Sequence, residues 1–111
     1  MDIPQITSNT NSATGEMGQD YLATGKQVAL RRWEADACGF CEPRCRDYEA
    51  VGYLLEGDLV LDLDGELVTL KCGDSWLVPQ GATHRYQVVT PIVAIEATSP
   101  PARFNGRDEA T

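Results

Sequence analysis

Histidine occurs once in these 111 residues, at His84, so imidazole chemistry of any kind, metal ligation or proton transfer, has to use that position. Long apolar runs are missing as well: none approaches the roughly 20 residues that span a bilayer, which predicts a soluble protein. The chain does not open on a basic segment followed by an apolar one, so no secretory signal is expected and a cytoplasmic location follows. Cations are scarce, with 9 Lys and Arg against 17 Asp and Glu and a formal net charge of −8. That balance argues against nucleic acid or an anionic membrane as the partner, since both reward a basic surface. There is too little chain for two cores, so one domain and one site are expected. The 4 cysteines, in a chain without an export signal, read as thiols or metal ligands and not as a disulfide framework.

What is present is a succession of short β-compatible segments. Residues 1–20 are rich in small polar groups and bury too little to offset ordering, so they are expected to form a flexible N-terminal arm, with Ile3 and Ile6 able to dock on a sheet edge. Residues 21–34 make a strand or two, carried by Val28, Leu30 and Trp33, with the alternation disturbed at Arg31 and Arg32. Residues 35–47, with Gly39, Pro43 and the cysteines Cys38, Cys41 and Cys45, show no regular period and read as a rim loop. Residues 48–56 form a strand, and Gly57 separates it from the alternating Leu59, Leu61 and Leu63. Asp64-Gly65 is a two-residue hairpin signal, because its primed turn needs positive φ. Pairing Leu63 with Glu66 sets Leu61 opposite Val68 and Leu59 opposite Leu70, one apolar face that Cys72 is expected to continue as a small buried residue. Residues 84–89 and 92–97 are expected to pair around Thr90-Pro91, and Ser99-Pro100-Pro101 ends the ladder. The expected class is all-β, a sandwich or small barrel of seven or eight strands over residues 21–100, with residues 101–111 a C-terminal tail. Periodicity alone does not choose among jelly-roll, immunoglobulin-like and other sandwiches.

Residues 73–84 supply what periodicity does not. Gly73, Pro79, Gly81 and His84 stand at the spacing of the second signature motif of the cupins, and residues 52–57, Gly-Tyr-Leu-Leu-Glu-Gly, match the end of the first. From residue 34 to about residue 100 the chain therefore resembles a small single-domain cupin, most like those of the pectin-degradation type. The resemblance implies a double-stranded β-helix, or jelly-roll barrel, often paired as a homodimer. It also implies a divalent metal (Zn, Fe, Mn or Ni) held by two histidines and a carboxylate or Gln from the first motif and one histidine from the second. His84 matches the last of these. The other positions hold Arg44, Arg46 and Ala50, or Pro43 and Cys45 if the motif is one residue longer, and Val88 stands where an Asn can follow.

Three readings of the pocket follow. Cys38, Cys41 and Cys45 could join His84 in a tetrahedral Cys3His set suited to a thiophilic metal, with Glu49 replacing one thiolate in a catalytic version. Otherwise they are thiols of a loop. Alternatively, Arg44 and Arg46, two apart on an extended chain, both face the barrel mouth, where two guanidinium groups would bind a carboxylate and repel a cation. The protein is then a module without a cofactor whose partner is a small organic or sugar acid, lined by His84, Arg44, Arg46, Glu49 and Tyr86, unless the arginines pair with Glu42, Asp47 or Glu49 on the surface. In the third reading the barrel is a non-catalytic dimeric interaction unit and His84 is a partly buried residue bonded to backbone.

Overall fold

The structure, a computed structural model, describes residues 13–14 and 19–102. It contains ten strands: β1 Ala13–Thr14, β2 Gln19–Thr24, β3 Ala29–Ala35, β4 Arg44–Cys45, β5 Glu49–Glu56, β6 Asp58–Leu63, β7 Glu66–Lys71, β8 Ser75–Val78, β9 Thr83–Val88 and β10 Ile92–Ser99. They form two antiparallel sheets, a six-stranded one in the order β1-β2-β3-β10-β5-β8 and a four-stranded one in the order β4-β9-β6-β7. This is the expected all-β jelly-roll barrel. Among the described residues no helix is long and apolar enough to cross a membrane. Residues 3 and 6 lie outside the described residues, as do residues 103–111. β2 begins at Gln19, two residues inside the stretch assigned to the arm.

Period-2 alternation builds both sheets. On β5, Ala50, Gly52 and Leu54 point inward, while Glu49, Val51, Tyr53 and Leu55 point out; β10 alternates over its full length. The inward apolar side chains form one core, in which Leu54, Leu59 and Leu61 are almost wholly buried, joined by Ala50, Leu70, Val78, Val88, Ile92 and Ala94. Gly52 is required within it, because a Cβ there would overlap the indole ring of Trp76. The β6–β7 hairpin has the expected register, Leu63 opposite Glu66, Leu61 opposite Val68 and Leu59 opposite Leu70. Its turn residues Asp64 and Gly65 have φ of 51° and 89°, the positive values a primed turn needs.

Two expectations are corrected. β9 and β10 do not pair: β9 lies between β4 and β6, whereas β10 lies between β3 and β5, so Thr90-Pro91 carries the chain from one sheet to the other. In a jelly roll, strands consecutive in sequence commonly sit in opposite sheets, and that is invisible to local pattern. Cys72 is exposed, its thiol donating to the Leu55 carbonyl at 3.0 Å. It follows the last residue of β7, at the turn into β8, so the parity that buries Leu70 does not extend to it. The apolar face also thins at Val68, which is exposed because β7 is the edge of its sheet.

Candidate functional site

A cavity of about 190 Å³ opens between the two sheets, lined by residues of β2, β3, β9 and β10 and by the segment that runs from Cys38 through β4 to Tyr48. The inward positions of the strands change character where they reach it. On β9 the sequence runs from buried Val88 through Tyr86 to His84, and on β10 from Ile92 and Ala94 to Glu96. Arg31 and Trp33 enter it from β3.

His84 owes its place to the turn before β9. Gly81, at φ 82°, donates its N–H to the Arg46 carbonyl at 2.9 Å, and Ala82 N–H bonds the Pro79 carbonyl at 3.1 Å. This clamps the turn to the β4 segment, and the β4–β9 register sets Arg44 directly across from His84. Alternation then directs Arg44 and Arg46 into the cavity, while Cys45 between them faces away, its thiol donating to the Gly81 carbonyl at 3.1 Å. His84 Nδ1 lies 3.2 Å from the Ala82 carbonyl. A carbonyl only accepts, so Nδ1 carries the proton and Nε2 is the acceptor. Burial holds the imidazole below its ordinary pKa; the Ala82 bond and the Glu96 carboxylate oppose this, and Arg46 and Arg31 reinforce it. The ring is thus neutral at pH 7.

An aromatic wall backs the histidine. Tyr86 packs against Trp33 at 5.1 Å, Trp76 at 6.4 Å and His84 at 5.7 Å between ring centroids, and its hydroxyl accepts the Trp76 Nε1–H at 3.1 Å. Burial, helped by the charge of Glu96, pushes the Tyr86 hydroxyl well above the usual tyrosine value, so it stays protonated. Opposite stands a buried ion pair: Arg31 Nε donates to Glu96 Oε1 at 3.1 Å, and Arg31 Nη1 donates to the Tyr48 hydroxyl at 3.3 Å. Arg85 is held at the rim by Asp62 at 2.8 Å and lies over the Phe40 ring.

Of the residues expected in the site, His84, Arg44, Arg46, Tyr86, Cys38 and Cys41 line the cavity. Glu49 does not: it is an outward residue of β5, on the parity of Val51 and Tyr53. Cys45 is excluded by the alternation just described. Arg31, Glu96, Gln19, Arg85, Trp33 and Tyr48 also line the cavity, and the sequence does not single them out as site residues. A signal existed for two of them, since Arg31 and Glu96 are charged residues at inward parity of otherwise apolar strands.

The Cupin domain family model, Cupin_2, matches residues 39–97, just over half of the chain. The chain is a cupin. Solved structures that it resembles include KdgF from Halomonas sp., with a TM-score of 0.75 at 20% identity over 88% of this chain and 94% of that one. An RmlC-like cupin from Shewanella frigidimarina matches with a TM-score of 0.79 at 20% identity over 93% and 96%. The Clostridium difficile EutQ protein matches with a TM-score of 0.69 at 18% identity over 80% and 68%. At these identities the likeness is one of fold. No curated protein matches the sequence.

The residues of this cupin do not fit the metal centre that the resemblance implied. Arg44, across from His84, and Arg46 beside it stand where the first motif would supply histidines, and their guanidinium groups have no lone pair to give and repel a cation. The Cys3His alternative fails on geometry: Cys45 points away from the cavity. Among the described residues no three His, Cys, Asp or Glu side chains gather into a set able to hold a metal ion. Cys38, Cys41 and Cys45 are exposed free thiols.

Proposed function

We propose that this cupin binds a small organic acid in its barrel cavity without a metal, the anion being held by Arg44 and Arg46 beside His84. One observation carries the reading. In a chain of net charge −8, four of the 9 cationic side chains (Arg31, Arg44, Arg46 and Arg85) line a single cavity in which, among the described residues, Glu96 is the sole carboxylate. Arg31 is committed to Glu96 and Arg85 to Asp62. Arg44 has no hydrogen-bond or ion-pair partner among the described residues, although it is half-buried at the cavity. Arginines desolvated in this way bind carboxylates through paired charge-assisted hydrogen bonds. The neutral His84 adds a polar group without a competing charge, and Trp33 with Tyr86 supplies an apolar wall for the carbon skeleton.

The test is calorimetric titration with simple carboxylates, butyrate first. Binding to the wild type that is lost or weakened in Arg44→Ala and Arg46→Ala supports the reading; equal affinity in all three proteins would overturn it. Elemental analysis of protein purified anaerobically without chelator runs alongside, and near-stoichiometric metal lost in His84→Ala would replace this reading with the metalloenzyme one.

A homodimer is the second proposal, and the outer face of the six-stranded sheet supports it. Leu30, Ala97, Val51 and Leu77 stand in one row across β3, β10, β5 and β8, next to Tyr53 and Leu55. Of these, Leu30, Val51, Tyr53, Leu55 and Leu77 are exposed large apolar side chains. A contiguous apolar patch of this kind marks an interface. Sedimentation should give a dimer that Val51→Lys dissociates; a monomeric wild type would end the proposal.

A further inference from the structure

Building on the anion-binding reading, we infer that the ligand carries a hydroxyl as well as its carboxylate, and that Glu96 is the group that recognises this hydroxyl. The cavity is shaped for a hydroxy acid.

The inference starts from one oxygen. Glu96 is only 3% exposed, it stands at an inward position of β10, and it lines the cavity. Its Oε1 is used by Arg31. Its Oε2 is buried and has no hydrogen-bond partner among the described residues. An ionised carboxylate only accepts, so what is missing beside Oε2 is a donor. A buried acceptor left without one is costly, and more so when charged. Buried polar groups in native proteins are almost always paired, so an exception on a residue that lines a cavity marks a place for another molecule to fill.

The donor is narrowed by charge and by neighbours. A ligand ammonium is disfavoured, because Arg31, Arg44, Arg46 and Arg85 all face the cavity. A neutral donor on an anionic ligand remains, and the simplest is a hydroxyl. Such a ligand offers its carboxylate to Arg44 and Arg46 and its O–H to Glu96. Water can supply the same bond in the free protein, and a ligand hydroxyl replaces that water with the bond retained. A keto group cannot, since it presents only lone pairs to a carboxylate. Sites that bond a substrate hydroxyl discriminate strongly against analogues lacking it, whose binding leaves the site's polar group bare.

The experiment is a set of calorimetric titrations of the full chain with five small acids: butyrate, α-hydroxybutyrate, β-hydroxybutyrate, α-ketobutyrate and acetoacetate. At least one hydroxy acid is expected to bind about tenfold or more tightly than its keto counterpart and than butyrate, the scale of one hydrogen bond to a buried charge. In Glu96→Gln the amide oxygen can keep Arg31 while the NH2 faces the ligand, turning the acceptor into a donor. The preference should then collapse or invert in favour of the keto acid. Glu96→Asp, which keeps the charge but withdraws the acceptor by one methylene, is the second variant should Glu96→Gln fail to fold, and is expected to lose the same preference. Equal binding of all five acids by the wild type would overturn hydroxyl recognition and leave the anion site standing. A hydroxy-acid preference that survives at Glu96→Gln or Glu96→Asp would overturn the assignment to Glu96. Failure of every acid to bind at millimolar concentration would overturn the anion-binding reading together with this one.

Discussion

The two halves of the barrel interior share β9 and β10 and obey opposite rules. In the dry half, Leu54, Leu59, Leu61, Val88, Ile92 and Ala94 fill the space between the sheets, and their burial supplies most of the favourable free energy. In the other half the inward positions hold Arg31, Arg46, His84, Tyr86 and Glu96. Burying an ion pair there stabilises little, since loss of hydration offsets the attraction. The comparison teaches that β-sheet parity decides where a side chain points and leaves open whether the place it reaches is core or site. A fold that accepts charge at core parity does so at functional positions.

The comparison can be broken from either side, and the largest effect is expected in the polar half. Glu96→Leu removes one partner of the buried pair and strands the Arg31 charge, which should cost about 3–5 kcal/mol of stability by urea unfolding. The double variant Arg31→Met, Glu96→Leu extends the dry half through the cavity and should recover most of that loss. If the double variant is as unstable as the single, the pair is holding β3 to β10 within the six-stranded sheet. In the dry half, Leu54→Ala leaves a void at a fully buried position and should cost about 2–5 kcal/mol. It should leave acid binding to the remaining folded protein unchanged; a matching loss of affinity would show that the two halves are coupled.

How much could be read from the sequence follows the same line. Leu59, Leu61 and Leu63 with the Asp64-Gly65 turn gave the hairpin register, because each is a local signal of parity or of positive φ, and the barrel was implied by the resemblance of the Gly73 to His84 motif to that of the cupins. The pairing of β9 with β6 and of β10 with β3 and β5 was not legible, since no local pattern says which sheet a strand joins. Spacing two apart puts Arg44 and Arg46 in the pocket, whereas Cys45, expected as a ligand beside His84, is turned away by the strand alternation that the structure shows. Arg31 and Glu96 registered only as imperfect alternation or not at all. They are partners 65 residues apart, and only the β3–β10 pairing brings them together.

A smaller effect than either stability change is expected at the cavity mouth, where Arg44 separates binding from folding. The Arg44 side chain has no hydrogen-bond or ion-pair partner among the described residues, so Arg44→Ala should change stability by no more than about 0.5 kcal/mol. Its loss of a charge-assisted bond to the ligand should weaken acid binding by about 1.5–3 kcal/mol, roughly tenfold to more than a hundredfold. Titration calorimetry and thermal unfolding of the same sample read both numbers. A large stability loss with unchanged affinity would return Arg44 to a structural role.

The smallest effect is expected from His84, and its sign tests whether the polar half is tuned to keep the imidazole uncharged. Burial lowers the folded-state pKa of His84 against the opposing pull of the Ala82 carbonyl and Glu96. The unfolded chain takes up the proton near pH 6.5, whereas the folded chain waits for lower pH. Between those two values the unfolded state binds more protons, so stability rises with pH and falls on acidification through this window. Above about pH 6.5 both states are neutral here, and the group contributes no slope. Glu and Asp titrations add to the measured curve, so the informative quantity is the stability of wild type minus that of His84→Gln, followed from about pH 8 downward. That difference should decline below about pH 6.5. A bound hydroxy acid, bringing negative charge beside the ring, should raise the folded pKa and make the decline shallower. A difference that instead grows on acidification in the free protein would mean that Glu96 outweighs burial and both arginines, and that the cavity holds an imidazolium.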